Sequence, residues 1–272
     1  MLGFVNDPGG FPLGTKVVPP VFLAYHFNLD PLEANFARTM SDIPYSIQPY
    51  TFKFLKDLAK HDNDRDWFEA NRPRYQAALE NVRAFADALI ERMNRHDKIA
   101  TANGKEAIFR IYSNRRFRPD RPLYKQHMAG GLDRMKPALR GGYYFHIKPG
   151  ECFIGCGFWD PESEDLRRIR MDMLYEYETW NKILRGKNLR SHWGEMEGDQ
   201  LKTAPQGFPK DHPATPLLRF KQLTFSHDFT DKEVMAPGFV DVVNTHFKAI
   251  RPWFDHLSEV LTTDDNGESL LS

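Results

Sequence analysis

Cysteine is scarce in this sequence, with two among 272 residues, and that excludes a disulfide scaffold. The pair stands as Cys152-Phe153-Ile154-Gly155-Cys156. On a strand, residues four apart lie ~13 Å from each other, whereas a disulfide needs Cα atoms within ~7 Å. Two buried thiols in a reducing compartment are therefore expected. Long apolar runs are missing too. No stretch approaches the ~18 residues of a membrane helix, so no membrane association is expected. The N-terminal residues lack early Lys or Arg, and Pro19-Pro20 breaks the apolar run from Val17 to Tyr25. That pattern is not a secretory leader and leads to the expectation of a cytoplasmic protein. Net charge is absent as well: 37 basic residues face 37 acidic ones, which argues against a protein that coats DNA by bulk electrostatics.

The familiar chemical signatures are missing. There is no Gly-x-Gly-x-x-Gly, no phosphate loop ending in Gly-Lys-Ser/Thr and no Gly-x-Ser-x-Gly elbow. The ten histidines form no His-x-x-x-His or Glu-x-x-His pair, so neither a metal nor a cofactor is expected. His146 and His127 could meet in space, but their spacing gives no support for it. Trp67 reads as a core anchor, and His212, between Asp211 and Pro213, as a loop-fixing hydrogen bonder.

What is present is a core. Hydrophobic residues make up 41% and aromatics 13%, enough to exclude wholesale disorder. Residues 1–48 hold six prolines and no sustained period, the pattern of an extended arm. From Thr51 a short helix is expected, then a second from Arg65 to about Asn71, with cap candidates in His61-Asp62-Asn63-Asp64. A third follows Pro73, with Tyr75, Ala78, Leu79, Val82, Phe85, Ala86, Leu89, Ile90 and Met93 on one face. The period then changes to two. Ile108–Tyr112 reads as a strand, as does Gly142–Lys148, with Tyr143, Phe145 and Ile147 on one face and Tyr144, His146 and Lys148 on the other. Pro149-Gly150 turns the chain into a returning strand, Cys152–Phe158. Asp160-Pro161 starts a helix that runs to Gly186. Leu201–Thr203 and Gln222–Phe225 read as short strands, and Thr230-x-x-Glu233 as a capping box. A last helix beginning near Phe239 kinks or splits at Pro252, and residues 263–272 read as a frayed polar tail. Helices, a hairpin sheet, then helices again, without βαβ alternation, make an α+β fold in a single domain over residues 49–262, with an antiparallel sheet packed on amphipathic helices.

The zero net charge hides a division along the chain. Residues 105–148 carry 11 basic and 3 acidic side chains, and residues 226–272 carry 3 and 9. Within residues 109–127, six cations and one acid, Asp120, are interleaved with aromatic rings. Guanidinium forks on a rigid sheet suit phosphate or carboxylate, with Asp120 placed to orient an arginine. A charge run is as often a solvated face, so packing against the acidic C-terminal region is the competing explanation.

These residues also carry a resemblance. Phe52-x-Phe54-Leu55 with Asp62-Asn63-Asp64-Arg65-Asp66-Trp67-Phe68 forms one block, and Phe109-Arg110-Ile111 through Arg116-Phe117, Asp120-Arg121 and Tyr124-Lys125 a second. A third runs Gly142-Tyr143-Tyr144-x-His146-Ile147-x-Pro149-Gly150, then Gly155-x-Gly157 and Leu166-x-x-Ile169-Arg170. The fourth holds Pro205-x-Gly207-Phe208, Asp211-His212-Pro213, Leu217-Leu218 and Lys221. Over about residues 50–260 the chain resembles the domain of unknown function 2461 family, a conserved hypothetical protein. It departs from the family's pattern at Ser113-Asn114, where Arg-Asp is usual, and at Pro122-Leu123. An Asn at position 114 keeps hydrogen bonding but cannot titrate. The resemblance fixes the domain rather than an activity.

Together these features lead to the expectation of a pocket for a small anion, phosphate or carboxylate, on a basic and aromatic sheet surface. Arg110, Arg116, Asp120, Arg121, Lys125, Lys148 and Arg170 are its candidate binding residues. His146, Tyr124 and Tyr144 are candidates for acid–base work. Two alternatives stay open: a nucleic-acid or phosphoprotein reader without chemistry, which is less favoured, and a structural protein acting through partners. The sequence leaves the oligomeric state open.

Overall fold

A computed structural model describes residues 45–116, 118–264 and 266–271. All of them belong to one compact unit. Residues 1–44 of the expected arm lie outside the described residues. Its last part is anchored: Ser46 and Ile47 are buried, and the Ile47 amide donates to the Val234 carbonyl.

The N-terminal helices form as expected. α1 (Pro49–Leu58) buries Phe52, Phe54, Leu55 and Leu58. α2 (Arg65–Ala70) is capped by Asp64, whose carboxylate accepts from the Trp67 amide at 2.9 Å. α3 (Arg72–Met93) turns its apolar stripe inward. A four-residue helix, α4 (Gly104–Ala107), follows. The sheet is an antiparallel meander in the order β1-β2-β3-β4, built from β1 (Met128–Asp133), β2 (Gly142–Ile147), β3 (Cys152–Phe158) and β4 (Leu223–Phe229). The hairpin of β2 and β3 turns at Gly150, whose φ of 80° suits glycine. Three helices lie between β3 and β4: α5 (Ser163–Tyr175), α6 (Tyr177–Leu184) and α7 (Lys187–Trp193). A single turn, α8 (Thr215–Leu218), precedes β4. The Thr230–Glu233 capping box starts α9 (Asp231–Met235). The last helix splits at Pro252 into α10 (Phe239–Ala249) and α11 (Arg251–Thr262). Past it, the Leu270 amide donates to the Thr262 carbonyl and closes an exposed turn.

Tyr143, Phe145 and Ile147 do face the core, and Tyr144 and His146 face away. On the core side Phe145 meets Phe85 of α3 edge-on at 5.5 Å, and Phe225 of β4 meets Trp253 of α11 at 5.4 Å. Cys152 and Cys156 are buried free thiols. Trp67 is partly buried against this core. Among the described residues, no helix is long and apolar enough to cross a membrane.

Three expectations need correction. Ile108–Tyr112 is not a strand, because its backbone divides its bonds between two partners. The Phe109 amide reaches the Ala129 carbonyl of β1, whereas the Lys125 amide returns to the Ile111 carbonyl. Only isolated bridges remain, Ile108 with Gly130 and Tyr112 with Tyr124. The true first strand is β1, whose Gly130-Gly131 weakens every strand signal. The glycine at 130 is required by packing: a Cβ there would lie 2.5 Å from Phe145 Cζ. Leu201–Thr203 makes one backbone–backbone bond, from the Leu201 amide to the Arg219 carbonyl, and runs toward Pro205, which has no amide to extend it. The helix expected from Asp160 begins at Ser163 and breaks at Glu176, with backbone angles of −107° and 36°. Trp180 in the second piece donates to Asp172 in the first at 2.5 Å, across the break.

Candidate functional site

The basic segment before β1 is held by a turn far away in sequence. The Tyr124 amide donates to the Asp62 carbonyl at 2.9 Å, the Leu123 amide to Asn63 Oδ1 at 3.0 Å, and Gln126 Nε2 to Asp62 Oδ2 at 2.6 Å. The Tyr124 ring stacks on Phe68 with centroids 4.0 Å apart. Asp62-Asn63 therefore acts as a clamp for residues 123–126, besides preceding the α2 cap.

This clamp shapes a recess of about 470 Å³ lined by Arg121, Tyr124, Lys125, His127 and Lys148, with Ser113 and Asn114 on its wall. The volume lies within the usual range for small-ligand pockets. Its cations are only lightly engaged. Lys125 Nζ donates to the Arg110 carbonyl at 2.9 Å, and burial, followed by the nearby Arg110 charge, lowers its pKa. Lys148 reaches exposed Glu151 at 2.6 Å. Arg121 makes no ion pair with any described residue. Ser113 and Asn114, the pair that departs from the family's pattern, thus stand at the recess itself.

His127 brings an imidazole to the rim, and His146 stands behind it with ring centroids 4.2 Å apart. Burial pushes the His127 pKa down to about 4, and the charges of His146, Lys125 and Lys148 add to the effect. His146 is pushed down to about 4 by burial and by Lys148. Both rings are neutral near pH 7. His146 Nδ1 is hydrogen-bonded to Tyr144 Oη at 2.9 Å, and its other face stacks on Phe153 at 4.8 Å. Burial raises the Tyr144 pKa and is also the main cause of the raised Tyr124 pKa. Both phenols are therefore protonated donors at neutral pH.

The candidates thus divide. Arg121, Tyr124, Lys125 and Lys148 share the recess. His146 lies one ring behind it, and Tyr144 one step further, in a neighbouring groove. Arg110 is exposed and sits on irregular chain rather than on a strand. Arg116 is exposed on the loop, where its amide donates to Asn114 Oδ1 at 3.3 Å. Asp120 pairs with Arg118 at 3.5 Å instead of orienting an arginine of the recess. Arg170 belongs to α5 and donates to the Phe220 carbonyl at 2.8 Å. His212 fixes its loop, with Nδ1 accepting from the Ala214 amide at 3.1 Å. His127 was not among the expected site residues; recognising it required the register that places Met128 against Ile147.

A second polar centre is architectural. Arg134, fully buried just after β1, donates to Asp97 at 2.8 and 3.2 Å and to Asp255 at 3.1 Å. Its Nη1 also reaches the carbonyls of Arg140 and Phe254, and Tyr143 Oη donates to Asp97 at 2.5 Å. Burial would raise the Asp97 pKa, but the donors from Arg134, Tyr143 and the Lys98 amide outweigh it and hold it low. Among the described residues, no group of three or more His, Cys, Asp or Glu side chains is placed to hold a metal ion.

A family model described as a conserved hypothetical protein, domain of unknown function 2461, matches residues 50–256. No curated protein and no solved structure matches the chain.

Proposed function

The chain belongs to the domain of unknown function 2461 family, and from that premise we propose that it binds a small anion, phosphate or carboxylate, in the recess before β1. The observation that carries this reading is the convergence of Arg121, Lys125 and Lys148 on one concave surface beside His127. Cations that line a recess without a buried acidic partner are free to take an anion, and guanidinium and ammonium donors suit phosphate oxygens.

The row His127–His146–Tyr144 adds acid–base capacity to this site. A neutral imidazole at the rim can donate a hydrogen bond to the anion or accept a proton from a reacting hydroxyl. His146, hydrogen-bonded to Tyr144 Oη, packs against it from behind with ring centroids 4.2 Å apart and fixes the position of the imidazole. A reducing, cytoplasmic setting is part of the proposal and fits two buried free thiols.

Calorimetric titration with inorganic phosphate tests it. The expected result is saturable one-to-one binding, weakened about tenfold by Lys148→Met and by Lys125→Met, since a charge-assisted hydrogen bond contributes about 1.5–3 kcal/mol. Absence of saturation below about 10 mM phosphate would overturn the reading. A nucleic-acid reader would instead bind oligonucleotides with a log–log salt slope of several phosphates.

A further inference from the structure

The sheet face turned away from the core holds a second cavity, of about 690 Å³. Its floor is opened by glycine: Gly131 and Gly155 sit opposite Tyr144 on the two neighbouring strands. A Cβ added at Gly131 would lie 3.2 Å from Phe109 Cζ, and one at Gly155 would lie 3.7 Å from Trp159 Cζ2. The missing side chains are thus replaced by ring edges from outside the sheet. Phe109 faces Tyr144 at 6.3 Å, Phe153 follows at 5.6 Å, and Trp159 closes the other side while remaining 39% exposed.

The polar rim has one sign. Glu106, Asp133 and Glu197 line the cavity, and no Lys or Arg does. None of the three carboxylates is in an ion pair with a described residue. Glu197 is fixed by Ser226, whose hydroxyl donates to Oε2 at 2.9 Å, so one carboxylate is held in place at the mouth. Ring faces carry negative potential, and a cation placed over them is held by it. Carboxylates around the same space add to that attraction.

From this geometry we propose that the open sheet face binds an organic cation, an ammonium group attached to a flat apolar body, with the body against Phe109, Tyr144 and Trp159 and the charge toward Glu197 and Asp133. The site is separate from the anion recess: Arg121, Lys125 and Lys148 line that recess and none of them lines this cavity. Two neighbouring sites of opposite preference then share the Tyr144–His146 pair as their boundary.

Three probes with one ring and different charges test this: benzyltrimethylammonium, benzyl alcohol and benzoate, each followed by tryptophan fluorescence and calorimetry at low salt. Benzyltrimethylammonium is expected to bind at least about fivefold tighter than benzyl alcohol, with benzoate the weakest, and to lose affinity in added salt. Trp159→Ala and Glu197→Gln should each weaken the cation about threefold, and Glu197→Gln should do so without lowering the melting temperature, because its side chain is exposed. The same two variants should bind phosphate as the wild type does, which separates failure of this site from failure of the anion site. Equal affinity for the three probes, no saturation by the cation, or cation binding unchanged in both variants would overturn the proposal.

Discussion

Removing the Arg134 side chain is predicted to be one of the most damaging single changes in the fold. Arg134 and Asp97 both have side chains with 0% exposure. In Arg134→Ala the carboxylate keeps the Tyr143 hydroxyl and the Lys98 amide as donors, with Arg251 Nη1 at 3.5 Å. It loses both guanidinium bonds, at 2.8 and 3.2 Å, and the Phe254 ring loses the guanidinium 4.7 Å from its centroid. Breaking a buried pair in this way costs about 3–5 kcal/mol, because an uncompensated charge stays in the interior. For a unit of this size that lowers the melting temperature by roughly 10 °C. Urea denaturation followed by circular dichroism measures the loss, and an unchanged m-value would assign it to the native state. Arg110→Ala is the control: an exposed side chain on irregular backbone should cost less than about 0.5 kcal/mol. A loss under about 1 kcal/mol for Arg134→Ala, or equal losses for both variants, would refute the assignment of Arg134 as the architectural arginine.

Other outcomes follow from particular residues. His127, His146 and His246 are held at a pKa of about 4, in each case mainly by burial, against 6.5 in the unfolded chain. The unfolded chain therefore binds protons first, and stability should fall as pH drops from 6.5 and reach its full loss below 4. Each shift corresponds to at most about 3 kcal/mol, and to roughly half that for rings partly open to solvent. Urea midpoints between pH 7 and pH 4 check this, and a flat profile would contradict it. Gly130→Ala would force a methyl against Phe145 and the Ala107 carbonyl and is expected to cost about 1–3 kcal/mol. Asn114→Asp adds a carboxylate to the recess wall and should weaken phosphate by several-fold, an effect that shrinks in high salt.

Legibility followed the strength of the local signals. α3 and the β2–β3 hairpin carry clean periods of 3.6 and 2, and their faces were readable residue by residue. The capping box at Thr230 and the break at Pro252 rest on equally local chemistry. β1 was hidden because Gly130 and Gly131 remove the side chains from which an alternating pattern is read, although packing requires the first of them. Ile108–Tyr112 failed in the opposite direction, since good alternation there served two different hydrogen-bond partners. At the site, Lys125, Arg121 and Lys148 were readable from charge, whereas His127 depended on the register of the unseen strand. The Arg134–Asp97 pair, 37 residues apart, has no local signature at all. A charge count cannot tell a buried structural arginine from one that faces solvent.

The central claim is that an anion sits among Lys125, Lys148 and His127. Histidine-selective NMR across a pH titration, with and without inorganic phosphate, tests it most directly. A bound anion offsets the cationic neighbours that help hold His127 near a pKa of about 4, so phosphate should move its titration upward by a unit or more. In the same spectra His246, which lies on α10 and outside the recess, should not move. Phosphate that leaves His127 unmoved, or shifts His246 equally, would contradict the account.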